Sequence, residues 1–201
     1  MGINQFPIVK LGKLLPQPYK NGIYKNFDSY GQGTSILRIT DFNNEGNLVT
    51  DELQKLKLEP NEVENYRLSP KDIVVNRVNS LTHLGKSILW QETNGDVTVY
   101  ESNMMRIQPD QAAILPEYLI RVLQSEPARE HFRKVAKRAV SQCSINQQDV
   151  KSLSLTTYQF NENLQYVIPA GIAGIQKPGM ARLRSHPCVL DTGSPCRYDV
   201  L

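Results

Sequence analysis

Six cations stand close together, Arg121, Arg129, Arg133, Lys134, Lys137 and Arg138, opposed in that stretch only by Glu126 and Glu130. On a helix, Arg133 and Lys137 are i, i+4 neighbours, as are Lys134 and Arg138, which makes one flank strongly positive. The segment that follows, Ala139-Val140-Ser141-Gln142-Cys143-Ser144-Ile145-Asn146, is rich in small polar donors. Hydroxyls and side-chain amides beside a basic helix are groups that grip phosphate, with Gln142 and Ser144 as candidates. A second group, Asn76-Arg77-Val78-Asn79-Ser80, is followed by Lys86 across an expected turn. Arg, Asn and Gln are the side chains that read base edges through paired hydrogen bonds. The plain alternative for the basic run is a solvated helix face.

Catalytic constellations are harder to find. Gly31-Gln32-Gly33-Thr34 precedes a strand and carries no Walker lysine, whereas a phosphate loop opens a helix. It reads as a polar loop. His186, Cys188 and Cys196 lack the paired spacing of a zinc site. Cys143 has no catalytic signature around it and reads as a quiet, partly buried thiol, while His83 and His131 sit in unrelated contexts. Asp72 and Glu92 could hold Mg²⁺ in a nuclease, but Gln91-Glu92-Thr93 lacks the lysine such sites carry. Both acids are expected at solvated strand ends. No Gly-rich cofactor loop marks a methyltransferase. The expected role is binding without catalysis.

Composition sets the frame for these groups. The chain has 201 residues, of which 40% are hydrophobic and 21% charged, enough for one core-bearing domain with an appendage. A net charge of +3 does not impose a nucleic-acid partner, so the clustering matters more than the total. No apolar run approaches the ~20 residues that span a bilayer. Met1-Gly2-Ile3-Asn4-Gln5 has no secretory character, and three cysteines make no disulfide framework. A cytoplasmic chain with no membrane contact is expected.

The elements that must position the cations change character along the chain. Strands are expected at Ser35–Thr40, Asp72–Val78, Ser87–Trp90, Val97–Tyr100 and Asn103–Ile107, with Asn94-Gly95-Asp96 as a hairpin turn between the third and fourth. Pro116 opens a helix carrying Leu119, Ile120 and Leu123. A second helix is expected from Pro127 to about Ala139 with Phe132, Val135 and Ala136 on one face, and a third from a Ser144/Gln147 capping box. Strands followed by helices predict an α+β fold, a mixed curved β-sheet with C-terminal helices. Residues 1–157 form the expected domain. Residues 158–201, broken by Gly and Pro, read as an irregular, poorly ordered or foreign tail.

The order of motifs resembles one target-recognition domain of the specificity subunit of type I restriction-modification enzymes. Ile8-Val9-Lys10-Leu11-Gly12 resembles the entry strand of that family, and Tyr30 through Asp41 the glycine-led stretch that follows it. Leu68-Ser69-Pro70-Lys71-Asp72-Ile73-Val74-Val75-Asn76-Arg77 resembles its next strand, and Pro116-Glu117-Tyr118-Leu119 through Asn146 its helical ending. The match covers roughly residues 6 to 155. After Ser152-Leu153-Ser154-Leu155 the family's proline-rich segment and spacer helix do not follow. The resemblance therefore implies a half subunit truncated before the spacer helix, able to pair with a second half.

It also implies a sequence-specific binder of double-stranded DNA that directs methylation and cleavage by modification and restriction subunits. Those partners would carry S-adenosylmethionine, ATP and Mg²⁺, and this chain no cofactor. Candidate DNA-binding residues are Gln32, Thr34, Arg38, Asn76, Arg77, Asn79, Ser80, Lys86, Arg133, Lys137, Arg138, Gln142 and Ser144. Two other readings stay open: the recognition portion of a single-chain, type IIG-like restriction-methylation enzyme, and a protein-interaction module with an acidic partner.

Overall fold

The computed structural model describes residues 8–15, 19–91, 95–140 and 142–156, with the backbone of 158–159 and 165–166. Strand β1 (Ile8–Lys10) leads into helix α1 (Leu11–Leu14), and β2 (Lys20–Asn21) precedes the long strand β3 (Tyr30–Leu37). Strand β4 (Gln54–Leu56) and helix α2 (Pro60–Tyr66) follow, then β5 (Ile73–Asn76), β6 (Val78–Asn79), β7 (Ser87–Leu89), β8 (Thr98–Tyr100) and β9 (Met104–Ile107). The helical part comprises α3 (Pro116–Gln124) and α4 (Glu126–Val135), the strands β10 (Lys137–Arg138) and β11 (Cys143–Ser144), and α5 (Gln147–Lys151). Strand β12 (Ser154–Thr156) and a short pair, β13 (Tyr158–Gln159) with β14 (Gln165–Tyr166), complete the described chain. The remaining residues of the expected tail lie outside it.

The fold is α+β, with its strands divided among open sheets. The central sheet is antiparallel in the order β2-β9-β5-β7, and a mixed sheet runs β4-β3-β8 with β3 and β8 parallel. Strand β5 is buried on both faces, so its sequence Ile-Val-Val reads as a continuous apolar run. Ile73 and Val75 join α1, α3, α4 and α5 in the main core, while Val74 packs with Phe42, Trp90, Tyr100 and Met104 on the other side. Helix α3 begins at Pro116 as expected and buries Leu119, Ile120 and Leu123 against that core. The chain closes on itself where β1 pairs with β12, Val9 opposite Leu155.

Three local expectations are corrected. Ser87–Leu89 and Thr98–Tyr100 do not form a hairpin: β7 pairs with β5 and β8 with β3, in separate sheets. The Gly31–Thr34 segment is a bulge within β3, where Leu56 faces both Tyr30 and Thr34. Gly33 has φ +110°, and a Cβ there would lie 2.7 Å from the Leu56 carbonyl oxygen, so only glycine fits. The third helix starts two residues later than expected. Asn146 Oδ1 accepts from Gln148 and Asp149 N–H, while Asp149 accepts from Asn146 N–H at 2.7 Å. Ser144 is unavailable as that cap because it is held in β11.

Candidate nucleic-acid interface

The second expected helix stops at Val135, and Lys137–Arg138 become a strand. Local propensity would allow the helix to continue, but pairing with β11 wins, and Ala139 N–H closes the hairpin on the Gln142 carbonyl at 2.8 Å. Strand β11 in turn pairs with β6, giving the three-stranded sheet β10-β11-β6. Two groups distant in sequence thus meet. Lys137 lies opposite Ser144, which lies opposite Val78; Arg138 lies opposite Cys143, which lies opposite Asn79.

Residues directly opposite share a face of a sheet. Arg133, Lys137 and Arg138 therefore do not share a helical flank as expected, because neighbouring Lys137 and Arg138 project to opposite sides of β10. Cys143, a buried thiol, anchors the Arg138 side to the main core. Lys137, Arg138, Val140 and Gln142 are exposed, and the two cations make no ion pair among the described residues. The helix cations differ. Arg133 pairs with Glu126 at 2.6 Å, Lys134 with Glu130 at 3.1 Å, and Arg129 donates to the Asn44 carbonyl at 2.9 Å.

Arg77 sits at the joint between β5 and β6. Its guanidinium donates to the Ser102 carbonyl at 3.1 Å, and its own carbonyl accepts from Ile145 N–H. Asn79 Oδ1 accepts from Ser80 N–H at 2.7 Å, and the exposed Ser80 hydroxyl meets Thr82 at 2.9 Å. Asn76 is a correction. It lies in the middle of the central sheet with no exposed surface, so no base edge can reach it in this fold.

Lys86 and Arg38 are corrected in the same sense. The Lys86 ammonium donates to the carbonyls of Ile39 and Phe42 and stands 4.5 Å from the centre of the Phe42 ring. Burial lowers its pKa, against the pull of the nearby Asp41 and Glu101 carboxylates. Arg38 pairs with the buried Asp41 at 3.1 Å and donates to Gln54. Glu101 accepts from Ile39 N–H, and burial raises its pKa. These groups tie the loop after β3 to the start of β7. Gln32 and Thr34 stand on the bulged strand of the other sheet, paired towards β4 and away from the β10-β11-β6 ladder.

Asp72 is not a solvated strand end. It is buried, accepts from Ser69 N–H at 2.9 Å and faces Arg106 at 3.9 Å, with desolvation raising its pKa. Glu92, His186, Cys188 and Cys196 lie outside the described residues. The β10–β11 hairpin was not expected, since its residues include no Gly, Pro or Asn to signal a turn.

The fold and this sheet define an α+β domain of open sheets, similar to the target-recognition domains of type I specificity subunits. Its particular relatives carry that name. The chain is 28% identical over 147 residues to the type I restriction enzyme StySPI specificity subunit of Salmonella potsdam, across 73% of this chain and 32% of that one. It is 32% identical over 104 residues to the MjaX specificity subunit of Methanocaldococcus jannaschii, across 52% of this chain and 24% of the relative. The fold is similar to the HsdS subunit from Thermoanaerobacter tengcongensis, with a TM-score of 0.52 and 13% identity over 76% of this chain and 38% of that one. A solved chain from a type I R-M system gives a TM-score of 0.54, also at 13% identity, over the same shares of both chains. No family model matches. The chain spans about a quarter to a third of the length of these curated relatives. The resemblance to specificity subunits read from the motifs is borne out over that part, and no described helix is long and apolar enough to cross a membrane.

Proposed function

We propose that this chain is a recognition domain for double-stranded DNA within a type I restriction-modification assembly, and that the β10-β11-β6 sheet is its DNA face. The observation that supports the reading is that β10, β11 and β6 bring Lys137, Arg138 and Ser144 together with Asn79, while Gln142 and Ser80 flank these strands in sequence. Exposed cations supply sequence-independent grip on phosphates, and the amides and hydroxyls between them supply hydrogen bonds to base edges. The chain contributes recognition and no chemistry. Methylation and cleavage fall to modification and restriction subunits, which bring S-adenosylmethionine, ATP and Mg²⁺.

Selection of duplexes from a random pool by the full chain tests the proposal. A single enriched sequence is expected, bound with a log–log salt slope that falls by about one unit for each of Lys137→Ala and Arg138→Ala. An unenriched pool, or slopes untouched by both substitutions, would overturn it.

A further inference from the structure

We infer that the β4-β3-β8 sheet carries a docking groove for a protein partner, one that presents aliphatic side chains flanked by lysine or arginine. The groove lies on a different sheet from the DNA face. That the partner is a subunit of the same assembly rests on the reading above.

The apolar surface comes first. The described residues expose eight large hydrophobic side chains, and five of them belong to the segments around this sheet: Tyr24, Phe27, Leu48, Val49 and Val97. Tyr24 and Phe27, on the stretch that leads into β3, are 75% and 88% exposed. Phe27, Tyr30 and Gly31 line a hollow of about 490 Å³ together with residues 52–55. Glu52, Leu53 and Lys55 also line a second hollow, which reaches Leu48. Ser35, Lys55 and Asp96 carry that one into a third, beside Val97. Shared walls make the three one continuous groove, with Tyr24 and Val49 flanking its lining in sequence. Contiguous exposed apolar surface rimmed by polar groups marks a protein contact.

The charges choose the occupant. Asp51, Glu52 and Asp96 line the groove against a single cation, Lys55. None of these four makes an ion pair among the described residues. Asp28, exposed beside Phe27, adds a further carboxylate. Such a rim repels phosphate, the reverse of the face that carries Lys137 and Arg138. A second copy of this chain, set face to face, would oppose carboxylate to carboxylate. A partner with aliphatic side chains covers Phe27 and Leu48 while its cations meet the free carboxylates, and an arginine there also finds the face of the Phe27 ring.

The test titrates the full chain with the purified cognate modification subunit and, separately, with the restriction subunit. The wild type should bind one of them. Phe27→Ser should weaken that binding roughly 10- to 100-fold, as loss of a central aromatic anchor does. Glu52→Lys should weaken it about three- to ten-fold through repulsion. Both side chains are exposed, so the thermal midpoint should hold, and binding to the enriched duplex should match the wild type. Subunit binding unmoved by both substitutions would overturn the groove assignment, as would a wild type that binds neither subunit. Weakened duplex binding in both variants would also overturn it, by making the groove a DNA surface. So would a wild-type dimer in sedimentation that Phe27→Ser dissolves, since the occupant would then be a second copy. If the wild type enriches a duplex while the variants leave subunit binding unmoved, DNA recognition stands and only the groove falls. If it enriches none but loses its subunit on Phe27→Ser, the groove stands and the DNA reading falls.

Discussion

Lys86 and Lys137 stand in similar sequence settings, each at or just before a short strand, and the fold uses them in opposite ways. Lys86 turns inward, where two backbone carbonyls and the Phe42 ring receive its ammonium, and Asp41 and Glu101 lie within reach of its charge. Lys137 sits on an exposed two-residue strand with no ion-pair partner among the described residues. The difference comes from what surrounds each strand. Strand β7 is an edge of the central sheet, whose loops must bury their polar groups and therefore need internal donors. Strand β10 is an edge whose outer side meets water. A lysine becomes available to a ligand only where the fold has no carbonyl for it to satisfy.

The sharpest way to break this contrast is to remove the inward lysine. Lys86→Met keeps the stem and deletes the ammonium, leaving two carbonyls without their donor and the Asp41 and Glu101 charges less compensated. A loss of about 3 kcal/mol is expected by urea denaturation. A cost under about 0.5 kcal/mol would place Lys86 with the surface lysines. Arg77, at the joint of the two regions, comes next. Arg77→Ala removes the bond to the Ser102 carbonyl and is expected to lower stability by roughly 1–2 kcal/mol. Loss of sequence preference with unchanged stability would instead return Arg77 to the DNA face.

How far the sequence revealed this arrangement varied with the kind of signal. Strand β5 and helix α3 were legible because an apolar run and a Pro-led amphipathic stretch are local signals. The motif order pointed to the right relatives. The β10–β11 hairpin was not legible, because Val-Ala-Lys-Arg-Ala-Val suits a helix and only the distant strand β6 makes a sheet of it. The same limit misplaced Asn76, whose type suits a base edge but whose strand is central. Side-chain chemistry is written locally, but burial is set by pairings far along the chain.

The inward cluster should also reveal itself through pH. Desolvation raises the Glu101 pKa above its unfolded value, with the Ile39 N–H, Arg38 and Lys86 opposing that shift. In the window just above the ordinary carboxylate range, the folded chain then holds a proton that the unfolded chain releases. Stability from this group therefore falls as pH rises through that window. Glu101→Gln cannot titrate, so the variant should gain on the wild type as pH rises from the ordinary carboxylate range in matched denaturation curves. A difference that stayed flat, or moved towards the wild type, would mean that the hydrogen bond and cations outweigh burial.

The smallest expected effect tests whether a paired cation counts as a DNA cation. Arg133 is one turn of helix before the hairpin, and its guanidinium bonds Glu126 at 2.6 Å on a solvent-exposed face. Exposed pairs of this kind contribute about 0–1 kcal/mol, so Arg133→Ala should barely move the thermal midpoint. Its net charge towards DNA is largely cancelled by the partner carboxylate, so the salt slope should also change far less than the unit expected for Lys137. Measuring both variants on one duplex over several salt concentrations separates two possibilities. If Lys137→Ala lowers the slope and Arg133→Ala does not, the DNA face begins at β10, where the chain leaves the helix. Equal changes would mean either that DNA pulls Arg133 away from Glu126 or that the Glu126 carboxylate left behind repels the duplex. The double variant Arg133→Ala/Glu126→Ala then decides between them, since it should regain the wild-type slope only if the pair faces the duplex as a neutral unit.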